Sequence, residues 1–318
     1  MIVTVTLNAA LDRTLVAPGF EPGQSRTADR ALLLGGGKGL NVTRALHSLQ
    51  CEVLALGMAG GTTGALIRRG LDEEGIPHDL TAIRGESRTC TAIIDPERGV
   101  TTEINEPGPT VEAFELATFL ERFDQALASA RLVVLSGSLP AGVPDDIYAW
   151  LIGAARRFEI PCLLDSRGAA LRAGLQAQPL IAKPNLSEAA ELLGDEFDPT
   201  DRSMHDRIGA NLAAITLGPK GAVLHSAIGS WLAVPPDIQP IDAVGSGDCF
   251  VAGLGAALMQ ASGNLSILQL VDQPEVLEAA LRLATATATA NTLTIGAGKF
   301  LEKDLRRLKE EVRIQRIV

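Results

Sequence analysis

Aromatic side chains are scarce in this chain, at 3% of 318 residues, with a single Tyr and two Trp. Hydrophobic residues nonetheless make up 46%, so a large core must be assembled from Ala, Leu, Val and Ile. Cysteine is sparse too. Cys51, Cys90, Cys162 and Cys249 stand far apart, with no C-x-x-C pair and no Cys/His spacing of a zinc site. They are expected to be small buried hydrophobes in a reducing compartment. An excess of positive charge is missing: the net charge is −10. That excludes a general nucleic-acid or membrane-surface binder, because no positive field attracts phosphate backbones. A small anionic ligand would need a local cationic pocket. No apolar run is long enough to span a bilayer. The chain enters the strand-like run Ile2–Leu7 at once, without a basic leader, so a cytoplasmic location is expected. Two nucleotide signatures are absent as well. Gly35-Gly36-Gly37-Lys38-Gly39 lacks the Ser or Thr that a P-loop requires directly after its lysine, and no G-x-G-x-x-G follows the first strand.

What is present is a rhythm. Short apolar runs at Val53–Met58, Leu132–Ser136, Cys162–Asp165, Leu180–Lys183 and Ala213–Leu217 alternate with helical patterns at Thr63–Glu74, Val111–Ala130, Asp145–Phe158 and Leu186–Leu193. Continuous apolar strands between helices predict a parallel sheet covered on both faces, here as a single domain over residues 1–318. Segments 12–34 and 88–103 break the rhythm with alternating polar and apolar residues. They predict a small β-sheet projecting from the main domain as a lid.

Two glycine-rich segments carry the chemistry. Val244-Gly245-Ser246-Gly247-Asp248 precedes an apolar helical run. Its glycines let backbone N–H groups converge at the positive end of a helix, where an anion or a developing charge is stabilised. Asp248 stands where it can take a proton from a hydroxyl, or merely cap the helix. Gly37, Lys38 and Asn41 belong to the second segment, before a helix predicted at Val42–Leu49. They allow close approach to a sugar, or else form a capped turn. Asp12, Ser138, Lys183 with Asn185 and Glu188, and Thr216 with Gly218 and Gly221 all follow strands. That places them at the carboxyl edge where open α/β sheets bind ligands.

Taken together, the segments Gly35–Val42 and Asp242–Asp248, in this order and separation, resemble the signatures of the ribokinase/PfkB carbohydrate kinases. The similarity spans almost the whole chain and favours the phosphosugar branch, with 1-phosphofructokinase and tagatose-6-phosphate kinase. The resemblance implies a three-layer α/β/α domain with a β-sheet lid that serves dimerisation. It implies ATP and Mg²⁺, and transfer of a phosphoryl group to a ketohexose phosphate. Gly245, Ser246 and Gly247 would form the anion hole and Asp248 the base. Asp12, Gly37, Lys38 and Asn41 would contact the sugar, and Arg88, Ser138 and Arg26 the substrate phosphate side. Lys183, Asn185, Thr216, Gly218 and Gly221 would hold the nucleotide, with Glu188 and Asn185 organising the metal. Ala9, Gln24, Ser246 and Arg167 depart from the branch's usual residues. Other readings are a kinase of an unphosphorylated sugar or nucleoside, and a non-catalytic phosphosugar-binding regulator.

Overall fold

The structure, a computed structural model, describes residues 1–194, 196–263 and 265–317. The strands are, in chain order, β1 (Ile2–Thr6), β2 (Ala10–Val16), β3 (Arg30–Gly36), β4 (Val53–Gly60), β5 (His78–Ile83), β6 (Arg88–Asp95), β7 (Val100–Asn105), β8 (Leu132–Ser136), β9 (Cys162–Asp165), β10 (Ile181–Ala182), β11 (Leu212–Thr216), β12 (Ala222–Ser226), β13 (Gly229–Val234) and β14 (Arg313–Ile317). The α-helices are α1 (Lys38–Ser48), α2 (Gly61–Glu73), α3 (Ala113–Leu127), α4 (Ile147–Arg156), α5 (Gly168–Gln176), α6 (Leu186–Leu193), α7 (Met204–Ile208), α8 (Ser246–Ser262), α9 (Pro274–Thr292) and α10 (Glu302–Glu311).

Ten strands form one sheet in the order β14-β13-β12-β11-β10-β9-β8-β1-β4-β5. Its strands alternate residues between two cores. Ile2 of β1 packs with α1, α8, α9 and α10 on one face. Val3 and Val5 pack with α3, α4, α5 and α7 on the other. Three layers result, with Ala, Leu, Val and Ile supplying most of both cores, as the shortage of aromatics requires.

The sheet differs from the expected wholly parallel one. From β5 to β11 all pairings are parallel, but β12, β13 and β14 are added antiparallel. The first two links are too short for a crossover helix, since a single 3₁₀ turn, Gly218–Lys220, joins β11 to β12 and two residues join β12 to β13, whereas β14 returns to the edge only after α8, α9 and α10. Element ends also shift. The predicted Leu180–Lys183 strand contracts to Ile181–Ala182, and the helix expected from Val42 begins at Lys38.

A second, four-stranded sheet in the order β3-β2-β6-β7 takes its strands from residues 10–36 and 88–105. β2 continues directly from the end of β1, and β3 runs directly into α1. The small sheet therefore stands over the carboxyl edge of the large one. No helix among the described residues is long and apolar enough to cross a membrane.

Candidate active site

A cavity of about 1050 Å³ lies between the two sheets and the start of α8. Every candidate residue named from the sequence lines it except Arg26. Arg26 sits in the loop joining β2 to β3 at the end remote from Asp12, and its guanidinium donates to Gly19 O at 3.0 Å. It does not line this cavity, because β2 carries the chain away before the loop begins.

Asp248 is buried, 6% exposed, in the first turn of α8. The helix is capped by Gly245, whose φ of 80° is left-handed and whose added Cβ would lie 2.6 Å from that of Ala297. Asp248 makes no side-chain cap bond. Its carboxylate instead accepts from Asn41 Nδ2 at 2.9 Å. Burial pushes its pKa up to about 7. Lys38 and the Asn41 bond pull against that rise, and Asp165 adds to it. Around it, the backbone N–H of Ser246 is already bonded to Ala243 O at 3.2 Å. The N–H groups of Gly245, Gly247 and Asp248 have no acceptor among the described residues, so they, more than Ser246, are free to meet an anion.

The capped-turn reading of Asn41 is also displaced. Gly37 precedes α1, and Asn41 lies within the helix with its side chain turned to Asp248. Asp12 lies against Gly36, where an added Cβ would come within 2.0 Å of its Oδ2. Burial raises the Asp12 pKa to about 6 against the pull of Arg44, the Gly37 N–H, Arg88 and Asn41.

Asp165, at the carboxyl end of β9, was not singled out from sequence. It is completely buried and lies between two lysines, 3.1 Å from Lys38 Nζ and 3.2 Å from Lys183 Nζ. Burial opposes its charge, but Lys183 and Lys38 hold its pKa below the ordinary value. Its Oδ2 has no partner among the described residues. The readable signal was a carboxylate ending an otherwise apolar strand. Lys38 in turn stands 3.8 Å from Glu188. Burial works against its proton, yet Asp165, Asp248 and Glu188 outweigh it and raise its pKa. Lys183 is 3% exposed and reaches the same turn: a Cβ at Gly247 would lie 3.8 Å from its Nζ.

Asn185 and Glu188 are bonded to each other at the start of α6. Asn185 caps α6 and Glu188 occupies its first turn in a reciprocal capping box, with Glu188 N donating to Asn185 Oδ1 at 2.9 Å and Asn185 N to Glu188 Oε2 at 2.8 Å. The Asn185 carbonyl oxygen is thereby engaged, while Glu188 Oε1 turns toward Lys38. Among the described residues no group of three or more His, Cys, Asp or Glu could hold a metal alone.

Arg88, on β6, faces the cavity on the same side of the small sheet as Asp12, since Ala10 pairs with Arg88 and Asp12 with Cys90. Its guanidinium donates to Asn8 O at 3.2 and 3.3 Å and to Glu106 O at 3.2 Å. No acidic side chain pairs with it among the described residues. Ser138 Oγ lies 3.3 Å from Asn8 Nδ2 beside it. Thr216, Gly218 and Gly221 line the opposite end of the cavity at the β11–β12 turn. Arg167 precedes α5 and also lines the cavity, and nothing in the structure explains why an arginine stands there.

A three-layer α/β/α domain with a second sheet over a cavity that gathers a buried aspartate, a glycine-rich helix start and two lysines is the architecture of a sugar kinase. Residues 4–304 match the pfkB family of carbohydrate kinases, and the chain belongs to that family. It is similar to Escherichia coli phosphofructokinase-2 solved in complex with fructose-6-phosphate, with 27% identity over 97% of this chain and 98% of the other and a TM-score of 0.83. The same enzyme has been solved with potassium and in a tetrameric inhibited form. A Thermotoga maritima chain described as a possible 1-phosphofructokinase aligns over 100% of both chains at 24% identity and a TM-score of 0.86. Ribokinase from Giardia lamblia, at 18% identity over 97% of this chain and 98% of the other, shares the fold with a TM-score of 0.78. The chain is thus a phosphotransferase acting on a sugar hydroxyl.

Proposed function

We propose that the protein transfers the γ-phosphoryl group of ATP to a free hydroxyl of a ketohexose phosphate, giving the bisphosphate and ADP. Tagatose 6-phosphate, fructose 1-phosphate and fructose 6-phosphate are the substrates to be compared. The observation that carries the reading is the buried Asp248, with a pKa near neutrality, beside unpaired N–H groups at the start of α8. A base poised near the working pH suits removal of a hydroxyl proton. Asp248 takes the proton as the sugar oxygen attacks the γ-phosphorus and the bond to ADP breaks. The N–H groups of Gly245, Gly247 and Asp248, with Lys183, stabilise the charge on the phosphoryl oxygens. Asp12 and Asn41 orient the sugar from the floor of the cavity, and Arg88 reads its existing phosphate from the small sheet, which acts as the lid of one kinase domain. A guanidinium without an acidic partner suits a phosphate, because Nη1 and Nη2 each keep a second N–H beyond the carbonyl oxygens they bond.

Mg²⁺ fits this donor set as an ion held jointly with the nucleotide. Glu188 Oε1 and the unpartnered Asp165 Oδ2 are the oxygens that would hold it, directly or through water. When bound it would neutralise phosphate charge. The Asn185 side chain, engaged in its cap, serves by fixing Glu188.

A coupled ADP-release assay over the three ketohexose phosphates, fructose and ribose tests the proposal. Turnover of one of the phosphates well above both unphosphorylated sugars supports it. Preference for fructose or ribose would replace the phosphosugar reading, and no ADP with any sugar would favour a binding protein.

A further inference from the structure

Arg44 follows Asn41 by one turn of α1 and is almost wholly buried, its side chain 3% exposed. A charge that deep must be compensated. Glu74, just after α2, grips it with two bonds, from Nε at 2.6 Å and Nη2 at 2.9 Å. The remaining donors are spent in an unusual way. Nη2 also donates to Gly35 O at 2.6 Å, and Nη1 donates both to Asn41 Oδ1 and to Ala297 O at 3.3 Å. Each acceptor belongs to a different wall of the active site. Gly35 precedes the glycine that packs on Asp12. Ala297 backs Gly245 at the anion-binding turn. Asn41 bonds the base.

The contact with Asn41 has a chemical consequence. With Oδ1 held by a guanidinium, only Nδ2 is left to face Asp248. An amide turned end for end would set N–H against N–H at Arg44 and oxygen against carboxylate at Asp248. We infer that Arg44, braced by Glu74, is a positioning residue for phosphoryl transfer: it locks the Asn41 amide so that Asn41 always donates to Asp248, and it ties the sugar-side loop and the anion-binding turn to the same point. This rests on the reading of Asp248 as base.

The charged and titratable groups around Asp248 are Lys38 on α1, Asp165 at the end of β9, Lys183 after β10 and the neighbouring Cys249 on α8, and those around Arg44 are Glu74, Asp12 and the same Cys249, whose thiol is kept neutral by burial. None of them can substitute for Arg44 in orienting a neutral amide. If the amide is released, Asp248 loses a donor that favours its charged form and keeps its proton to higher pH.

The test is a double-mutant cycle with pH profiles. Arg44→Lys, which cannot make the forked set of bonds, and Glu74→Gln, at a half-exposed position less exposed to misfolding, are each made alone and with Asn41→Ala. Thermal unfolding confirms that the variants are folded. Arg44→Lys should lower kcat roughly ten- to a hundredfold, with the KM for ATP unchanged and the acid limb of kcat moved to higher pH. Glu74→Gln should give a smaller loss of the same kind. In the Asn41→Ala background each should cost much less than it does alone, because the main path runs through that amide and only the ties to Gly35 and Ala297 remain to be lost. Equal fold losses in both backgrounds, or an acid limb that does not move, would overturn the inference and leave Arg44 as a structural ion pair. Asp248→Asn retaining most of the wild-type kcat would instead overturn the base, and the positioning role with it.

Discussion

At the scale of single residues, burial decides the chemistry. Asp248 and Asp12 are carboxylates of ordinary kind whose proton affinity is raised by the loss of water around them. Asp248→Asn should lower kcat by ~10²–10⁴-fold and leave ATP affinity unchanged, checked by steady-state kinetics and nucleotide titration. The same aspartate leaves a thermodynamic mark. Its folded pKa of about 7 exceeds the ordinary 3.8. Stability from its protonated form is therefore fully present below the unfolded value and lost as pH rises through 7. Asp248→Asn escapes that loss, so its Tm relative to wild type should climb between pH 4 and pH 8 in calorimetry. A Tm difference that is flat with pH would show that Asp248 is not held in the protonated form. Arg88 offers a differential test. A hydrogen bond to a charged group is worth ~1.5–3 kcal/mol, so Arg88→Ala should reduce kcat/KM for the phosphosugar roughly ten- to a hundredfold. Turnover of unphosphorylated fructose should hardly change. Equal losses on both would make Arg88 a part of the lid's framework alone. Most of these residues could be named from the chain because glycine clusters and strand ends announce them. Asp165 and Arg44 could not, because their roles arise from partners far away in sequence.

At the scale of elements, the small sheet has two unlike faces. Asp12, Arg88 and Cys90 look into the cavity, and by the alternation of strands Leu33 and Ile104 look away from it. On that outer face Leu33 is 50% and Ile104 62% exposed, and every residue of the edge strand β7 is exposed. Apolar residues on an open sheet edge are an association surface. A homodimer through this face is the expected assembly, and Leu33→Glu with Ile104→Glu should yield monomers by light scattering, whereas a monomeric wild type would dismiss it. The alternation of segments 12–34 and 88–103 was legible as strands. Their pairing was not: β2 joins β6 in parallel across a long stretch of chain, a choice made by packing on α2 and the cavity. Helix starts were misread for the same reason. Gly37 allows α1 to begin at Lys38, which carries Asn41 into the helix and toward Asp248.

At the scale of the whole molecule, the site is a meeting of parts that are each incomplete. Asp165 comes from β9, Glu188 from α6 and Asp248 from α8, and among the described residues no three His, Cys, Asp or Glu are placed to hold a metal ion together. A divalent cation should therefore bind measurably only when nucleotide phosphates complete its shell. Calorimetric titration with Mg²⁺ should give little heat for the protein alone and a clear isotherm with ADP present, and excess chelator should abolish turnover. Tight Mg²⁺ binding without nucleotide, or full activity in chelator, would contradict this. The net charge of −10 would repel a phosphorylated sugar at long range, so under the proposed function recognition would rest on Arg88 and the lysines at contact distance, where screening is least.

The sequence alone determined the layered α/β class, the placement of the glycine-rich turns after strands and the identity of the general base candidate. These depend on local periodicity, turn chemistry and the order of segments along the chain. The antiparallel end of the large sheet, the capping role of Asn185, the distance of Arg26 from the cavity and the burial of Asp165 between Lys38 and Lys183 were decided by tertiary structure. Each is set by which distant segments pack together. That packing fixes where water is excluded, and the exclusion of water is what turns an aspartate with an ordinary pKa of 3.8 into one that titrates near 7.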